Sequence, residues 1–154
     1  MKKLLSVAVF VLLILGGCEN NKGAFLESVA SQNDQQTSIS KFLRLLKKNN
    51  LTHFATIDHA ANAKKAGLDL KPETVILFGN PKAGTKLMQC NPSMGMDLPL
   101  RMLFTTNYEG QTTISYTNPE YWTLKHNIKD KVCLGIIQKM HIIMKELAGD
   151  AAKK

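Results

Sequence analysis

Two strand-like segments joined by a short polar connection are the feature that most constrains the fold. Residues 100–106 and 112–116 are rich in apolar, aromatic and β-branched side chains, and the turn-forming residues 107–110 lie between them. This pattern predicts an antiparallel hairpin. Further strands are predicted at 54–57 and 74–78, whereas the periodicity of 25–31 does not decide between a strand and a helix.

Helical patterns alternate with these strands. Residues 38–49 carry an apolar stripe, 60–66 are rich in alanine, and 85–89 are long enough for one or two helical turns. The longest helical pattern spans 131–147, with an apolar stripe formed by Val132, Ile136, Met140, Ile143 and Leu147 and widened by Cys133, Ile137 and Met144. Strands mixed with helices around a hairpin predict an α+β fold rather than a doubly wound parallel sheet.

The length and composition suit one domain, because 44% of the 154 residues are apolar. We predict a single α+β domain over residues 24–148. A short polar tether at 18–23 precedes it, and a C-terminal tail at 149–154 follows it.

Residues 1–17 have the pattern of an export signal. Two lysines precede an apolar run at 4–15, and two glycines come directly before Cys18. The apolar run is shorter than the ~20 residues that a membrane-spanning helix needs. The order of these features resembles a bacterial lipobox, in which the cysteine thiol carries the lipid. We therefore predict a lipoprotein signal peptide at 1–17 and lipid attachment at Cys18, with a soluble secreted protein as the alternative.

A lipid on Cys18 would hold the domain on a membrane of the cell envelope, facing the periplasm. Glu19 follows the cysteine, whereas aspartate there is a familiar signal for retention in the inner membrane, so the outer membrane is preferred. The formal charge of +8 is spread along the chain without interleaved aromatic residues, which does not favour a nucleic-acid partner. That charge suits either anionic lipid headgroups or no specific partner.

Three segments resemble the family called domain of unknown function 302. They are Phe-Ala-Thr-Ile-Asp-His-Ala-Ala at 54–61, Phe-Gly-Asn-Pro-Lys-Ala-Gly-Thr at 78–85 and Asp-Leu-Pro-Leu at 97–100. Their order and spacing agree as well, and the resemblance covers residues 23–147. It implies a two-layer sandwich in which helices cover an antiparallel sheet of four to five strands, with a first strand at 25–29. The family has no established activity, so the resemblance implies no catalytic residues.

The segment 79–86 is one transposition away from a phosphate-binding loop. Such a loop ends Gly-Lys-Ser/Thr, whereas Thr85 precedes Lys86 here, so nucleotide hydrolysis is not predicted. A glycine-rich turn after a strand could still hold a small anion through a lysine and the amides that open a helix. The simpler alternative is a tight turn with Thr85 as an ordinary helix cap.

The predicted ligand site consists of His59, Asn80, Lys82 and Thr85. Residue 59 joins this site only if the strands at 54–57 and 74–78 are parallel neighbours, because antiparallel neighbours would place their ends apart. No cofactor is predicted. The leading hypothesis is a domain that binds a small anionic molecule or a protein partner.

The alternative hypothesis is an enzyme or a copper carrier of the cell envelope. Asp58, His59, Asp97 and His126 offer carboxylates and imidazoles for proton transfer, although Asp58 or His59 could equally cap the helix at 60–66. Soft ligands for Cu(I) are present in Met88, Cys90, Met94 and Met96, although filling apolar space is the stronger role for methionine. A bridge between Cys90 and Cys133 is possible in an oxidising compartment, but their predicted surroundings do not favour it.

Substitution of Cys18 tests the predicted anchor. Cells grown with a labelled lipid precursor should incorporate the label into the protein, and Cys18→Ala should abolish it because the thiol is the attachment point. The label is read on the purified protein. A labelled Cys18→Ala variant would contradict the assignment.

Overall fold

One antiparallel sheet organises the computed structural model, which describes residues 25–154. The predicted signal peptide, Cys18 and the tether lie outside the described residues. The strands are β1 (Leu26–Ala30), β2 (Thr52–Asp58), β3 (Glu73–Gly79), β4 (Leu100–Thr106) and β5 (Thr112–Thr117). Their order across the sheet is β1-β5-β4-β3-β2, and every neighbouring pair is antiparallel. The predicted α+β class, the hairpin and the first strand are therefore confirmed.

Helices connect the strands and close the core. They are α1 (Gln35–Lys48), α2 (His59–Lys65), α3 (Pro81–Cys90), α4 (Trp122–Lys125) and α5 (Lys131–Ala152), with short 3-10 helices at Pro92–Met96 and Pro119–Tyr121. Within residues 25–154, none of the helices is long and apolar enough to cross a membrane.

The core lies between one face of the sheet and the helices α1, α3 and α5. Alternate strand residues such as Ile76, Phe78 and Phe104 have no exposed surface. From α1, the ring of Phe42 meets those of Phe78 and Phe104 edge-on, with centroids 5.1 and 5.5 Å apart. The period-2 alternation of β3 and β4 therefore divides the sheet into a covered face and an open face.

The final helix differs from its prediction in two ways. Its buried stripe is centred on the side that was predicted only to widen it, since Cys133, Ile137 and Met144 are buried with Met140 and Leu147, while Val132 is 62% exposed and Ile136 and Ile143 flank the stripe. The helix also continues to Ala152, into the stretch predicted as a tail. Ala151 and Ala152 are buried there, because small side chains allow the helix to pack closely.

A disulfide joins Cys90, the last residue of α3, to Cys133 in the first turn of α5. The sequence did not favour this bridge. The prediction left Cys90 in a loop or a short helix, whereas α3 starts at Pro81 and runs to the cysteine itself. Packing of α3 against α5 then brings the two Cα atoms to 6.8 Å.

Neighbouring residues of β3 test the two faces of the sheet. Ile76→Ala should lower the free energy of unfolding by about 2–5 kcal/mol, because it truncates a fully buried side chain. Val75→Ala, on the open face, should cost less than about 1 kcal/mol. Urea denaturation measures both variants. Equal losses, or a loss below about 1 kcal/mol for Ile76→Ala, would contradict the division of the sheet.

Candidate functional site

The predicted composite site is not assembled. Strand β2 pairs with β3 in antiparallel register, with Asp58 opposite Thr74 and Thr52 opposite Gly79. His59 therefore follows one end of the pair while Asn80, Lys82 and Thr85 follow the other, about 17 Å away along the strands. The parallel arrangement that would have joined them is absent from β2 and β3.

The Gly79–Asn80–Pro81 turn serves as a helix cap. The Asn80 side-chain oxygen accepts hydrogen bonds from the amides of Lys82 (3.0 Å) and Ala83 (3.2 Å). These are the first free amides of α3, because Pro81 at its first position has none. The amides that were expected to face an anion are therefore occupied, and Asn80, rather than Thr85, is the cap.

A small cavity of about 430 Å³ lies beside this turn. Asn80 and Thr85 contribute to its wall, and most of its other wall residues are apolar, including Phe54, Met88 and Pro99. Such a wall suits an apolar group better than a bare anion.

Asp58 and Cys90, which the sequence also offered as candidates, have structural roles. Asp58 caps α2, since its carboxylate accepts from the amide of Ala61 at 2.8 Å. Of the four sulfur-bearing residues, Cys90 is bonded to Cys133, and Met94 is completely buried whereas Met96 is 79% exposed. Within residues 25–154, this arrangement leaves no thiolate to pair with the methionines for Cu(I).

The open face of the sheet forms a groove of about 1050 Å³. One row across its floor consists of Ile57, Val75, Leu103, Ser115 and Ser28, each opposite the next on the neighbouring strand. The floor is thus apolar on β2, β3 and β4 and carries hydroxyl groups on β5 and β1. His59 and Glu73 lie at one end of the groove, and Asp97, Arg101 and Tyr121 lie at the other.

Asp97 is the centre of the polar cluster at that second end. It is 7% exposed and follows the 3-10 helix at Pro92–Met96. Its carboxylate oxygens accept from Tyr121 Oη (2.9 Å), Lys125 Nζ (2.9 and 3.0 Å) and His126 Nε2 (2.5 Å). Burial raises the pKa of Asp97, but the hydrogen bonds from His126, Lys125 and Tyr121 outweigh it and hold the pKa below its usual value. The carboxylate is therefore ionised and fully paired.

Arg101 is the remaining cation beside Asp97. Its guanidinium lies 3.9 Å from the carboxylate, farther than each of the other three donors, and its side chain is 56% exposed. Because the closer donors occupy both carboxylate oxygens, Arg101 is only loosely held by Asp97. Its donors are available on the groove side.

On its other side, His126 meets Ser93. The Ser93 hydroxyl lies 2.6 Å from His126 Nδ1, and His126 itself is only 4% exposed. The amide side chain of Asn91 also donates to the His126 carbonyl at 2.7 Å. Ser93, His126 and Asp97 thus form a continuous hydrogen-bonded chain from an exposed hydroxyl to a buried carboxylate.

A second polar cluster ties β1 and β5 to α5. Glu27 accepts from Tyr116 Oη at 2.6 Å and pairs with His141 Nε2 at 2.8 Å. Burial raises the pKa of Glu27, but these hydrogen bonds lower it by more, so the net shift is downward. Burial and the Glu27 carboxylate together raise the pKa of Tyr116. This cluster joins elements of the fold.

Sequence reasoning identified Asp97 and His126 as candidates but missed Ser93, Arg101, Tyr121 and Lys125. The spacing of Tyr121, Lys125 and His126 gave no recognisable metal or catalytic signature. Their convergence on Asp97 follows from the packing of the segment 119–126 beside the start of β4.

The protein is an α+β two-layer domain with one open sheet face. Comparisons with known proteins identify its family. The family model "Domain of unknown function DUF302" matches residues 27–147. A crystal structure of an uncharacterized conserved protein DUF302 from Bacillus stearothermophilus is similar, with a TM-score of 0.75 and 17% identity over 84% of this chain and 99% of that one. The chain belongs to the DUF302 family.

Curated relatives are longer proteins. The chain is 31% identical over 128 residues to fluoride-specific ion channel FluC 1 of Brucella suis biovar 1 (strain 1330) and to FluC 1 of Brucella abortus biovar 1 (strain 9-941). The match covers 81% of this chain and 50% and 47% of those proteins, respectively. The chain therefore spans about half the length of the curated relatives it matches.

Because the pKa of Asp97 is lowered in the folded protein, we expect its contribution to the free energy of unfolding to depend on pH. An ionised form favoured by folding stabilises the protein above the unfolded pKa, ~4, and this contribution is lost as the pH falls below it. Asp97→Asn should cost about 1–3 kcal/mol at pH 7, and the gap to the unsubstituted protein should shrink at pH 3. Urea denaturation at both pH values measures it.

Asp69→Asn is the matched control, because Asp69 is exposed. Its unfolding free energy should follow that of the unsubstituted protein at both pH values. A gap for Asp97→Asn that is the same at pH 7 and pH 3 would contradict an ionised, stabilising Asp97.

Proposed function

We propose that the domain is an exported, lipid-anchored binding protein whose open groove holds a small molecule with an anionic head and an apolar body. The observation behind this proposal is the loose pairing of Arg101 with Asp97. Asp97 is satisfied by donors within 3.0 Å, whereas Arg101 lies 3.9 Å from it. Its guanidinium can therefore bind a carboxylate or phosphate through two parallel hydrogen bonds.

The charges at this end of the groove favour an anion. Two permanent cations, Arg101 and Lys125, lie beside the single carboxylate of Asp97. The resulting positive charge stands at the edge of an apolar floor that includes Val75, Leu77 and Leu103. Binding of an apolar body to such a floor is favourable, by about 25 cal/mol for each Å² of apolar surface that it removes from water.

The proposed setting is the cell envelope. It rests on the predicted signal peptide at 1–17 and on Cys18, which would tether the domain to a membrane, with the outer membrane preferred. Relatives named fluoride-specific ion channels are about twice as long as the part that matches this chain. We propose that the shared domain acts beside a membrane component and that the lipid on Cys18 provides the same proximity here.

A protein partner in the membrane is the second candidate, supported by the relatives' name. The open sheet face would then be the docking surface, and the small anion could be fluoride itself. For the anion, the loop with Lys82 remains the competing location, because Lys82 is also exposed.

Matched substitutions of Arg101 and Lys82 test the location of the anion. A chain beginning at Glu19 retains every described element, and calorimetry with decanoate measures its affinity. Arg101→Gln should raise the Kd at least about tenfold, or 1.4 kcal/mol, because the guanidinium contact is lost. Lys82→Gln should leave the Kd within about twofold, since a screened surface charge contributes little.

Two further titrations identify the chemistry of the ligand. Decyltrimethylammonium has a similar apolar body and the opposite charge, so it should bind more weakly than decanoate. A titration with sodium fluoride, monitored by ¹⁹F NMR, tests whether the bare anion binds. Equal binding of the cation, or a larger effect of Lys82→Gln than of Arg101→Gln, would contradict the proposed groove.

A further inference from the structure

The chain of Ser93, His126 and Asp97 has the order of groups that activates a hydroxyl nucleophile. Ser93 Oγ lies 2.6 Å from His126 Nδ1, and His126 Nε2 lies 2.5 Å from Asp97 Oδ2. Ser93 is exposed, whereas the two residues behind it, His126 at 4% and Asp97 at 7%, are both buried. Ser93 is thus accessible from solvent while the two groups behind it are enclosed.

The hydrogen bonds determine where the protons lie. Ionised Asp97 can only accept, so His126 must donate through Nε2–H. In the neutral imidazole, Nδ1 then has a free lone pair, and the Ser93 hydroxyl donates to it. This is the relation of nucleophile, base and orienting carboxylate that hydroxyl nucleophiles require.

The Ser93 bond is not what fixes the His126 backbone at this point. The His126 backbone is already fixed, because its carbonyl accepts from the Asn91 side chain at 2.7 Å and its amide donates to the Trp122 carbonyl at 2.8 Å. The exposed hydroxyl of Ser93 could also be satisfied by water. Its alignment with a buried imidazole therefore calls for a chemical explanation.

We infer that Ser93 is a nucleophile for the hydrolysis of small, uncharged carboxylic esters, with His126 as its base and Asp97 as the orienting group. The Ser93 oxygen forms a bond to the ester carbonyl carbon as its proton moves to His126 Nδ1. The bond from that carbon to the alcohol oxygen breaks, and His126 gives the proton to the departing alcohol. Water, deprotonated by the same nitrogen, then cleaves the acyl-serine, which releases the carboxylic acid and restores Ser93.

The ester would not occupy the proposed ligand groove, since Ser93 lines neither described cavity, although Asp97 serves both sites. The substrate would approach from solvent at the surface beside residues 92–96. This open position favours short acyl chains over long ones, which would remain exposed.

The His53–Thr56 pair provides a matched control. Thr56 Oγ1 lies 2.9 Å from His53 Nε2, so it is also a hydroxyl beside an imidazole. Within residues 25–154, however, His53 has no carboxylate partner. Only Ser93 should therefore behave as an activated nucleophile.

Two measurements on the full-length chain in non-ionic detergent test the inference. Hydrolysis of p-nitrophenyl acetate by Ser93→Ala should fall at least about tenfold, whereas Thr56→Ala should leave it unchanged. A fluorophosphonate probe should form a phosphorus–oxygen bond at Ser93 with loss of fluoride, and peptide mass spectrometry locates it. His126→Gln should abolish this label in protein whose circular dichroism is unchanged.

Three results would overturn the inference. They are a label on any residue other than Ser93, the absence of a label, and full hydrolysis by Ser93→Ala. Each of them leaves the decanoate titration of Arg101→Gln unaffected, so failure of the esterase and failure of the ligand groove are distinguishable.

Discussion

The fully paired carboxylate of Asp97 is the interaction on which the polar end of the molecule depends. A buried carboxylate is costly unless hydrogen-bond donors surround it, and Lys125, His126 and Tyr121 meet that requirement from one short segment. Their pairing fixes the segment 119–126 against the start of β4. It also leaves Arg101 loosely bound and turns His126 toward Ser93, so both proposals follow from one satisfied charge.

The sheet supplies the second constraint, because all its strands are antiparallel and the core lies on one face. Antiparallel pairing of β2 and β3 sends His59 and Lys82 to opposite ends, which separates the residues that the sequence grouped. The open face gains an apolar floor from the same alternation that fills the core with Ile76 and Phe78. A two-layer domain therefore has a groove without needing a dedicated loop.

Local patterns made the fold predictable from the sequence. The hairpin follows from turn-forming residues between two strand-like segments, and the central strand at 74–78 follows from a nearly continuous apolar and β-branched run. Features that depend on distant packing were missed: the disulfide needs α3 beside α5, and the Asp97–His126 contact joins residues 29 positions apart. The end of α5 looked like a tail because alanine and glycine carry no hydrophobic pattern, yet Ala151 and Ala152 are buried.

The tautomer of His126 tests the role of Asp97 most directly, since the ionised carboxylate dictates which imidazole nitrogen carries the proton. Nitrogen-15 NMR of the labelled protein near neutral pH distinguishes a protonated from a bare ring nitrogen, and His126→Gln assigns the signals. We expect a protonated Nε2 and an unprotonated Nδ1 that accepts a hydrogen bond from Ser93. A protonated Nδ1 would contradict it, because the imidazole could then not act as a base toward Ser93.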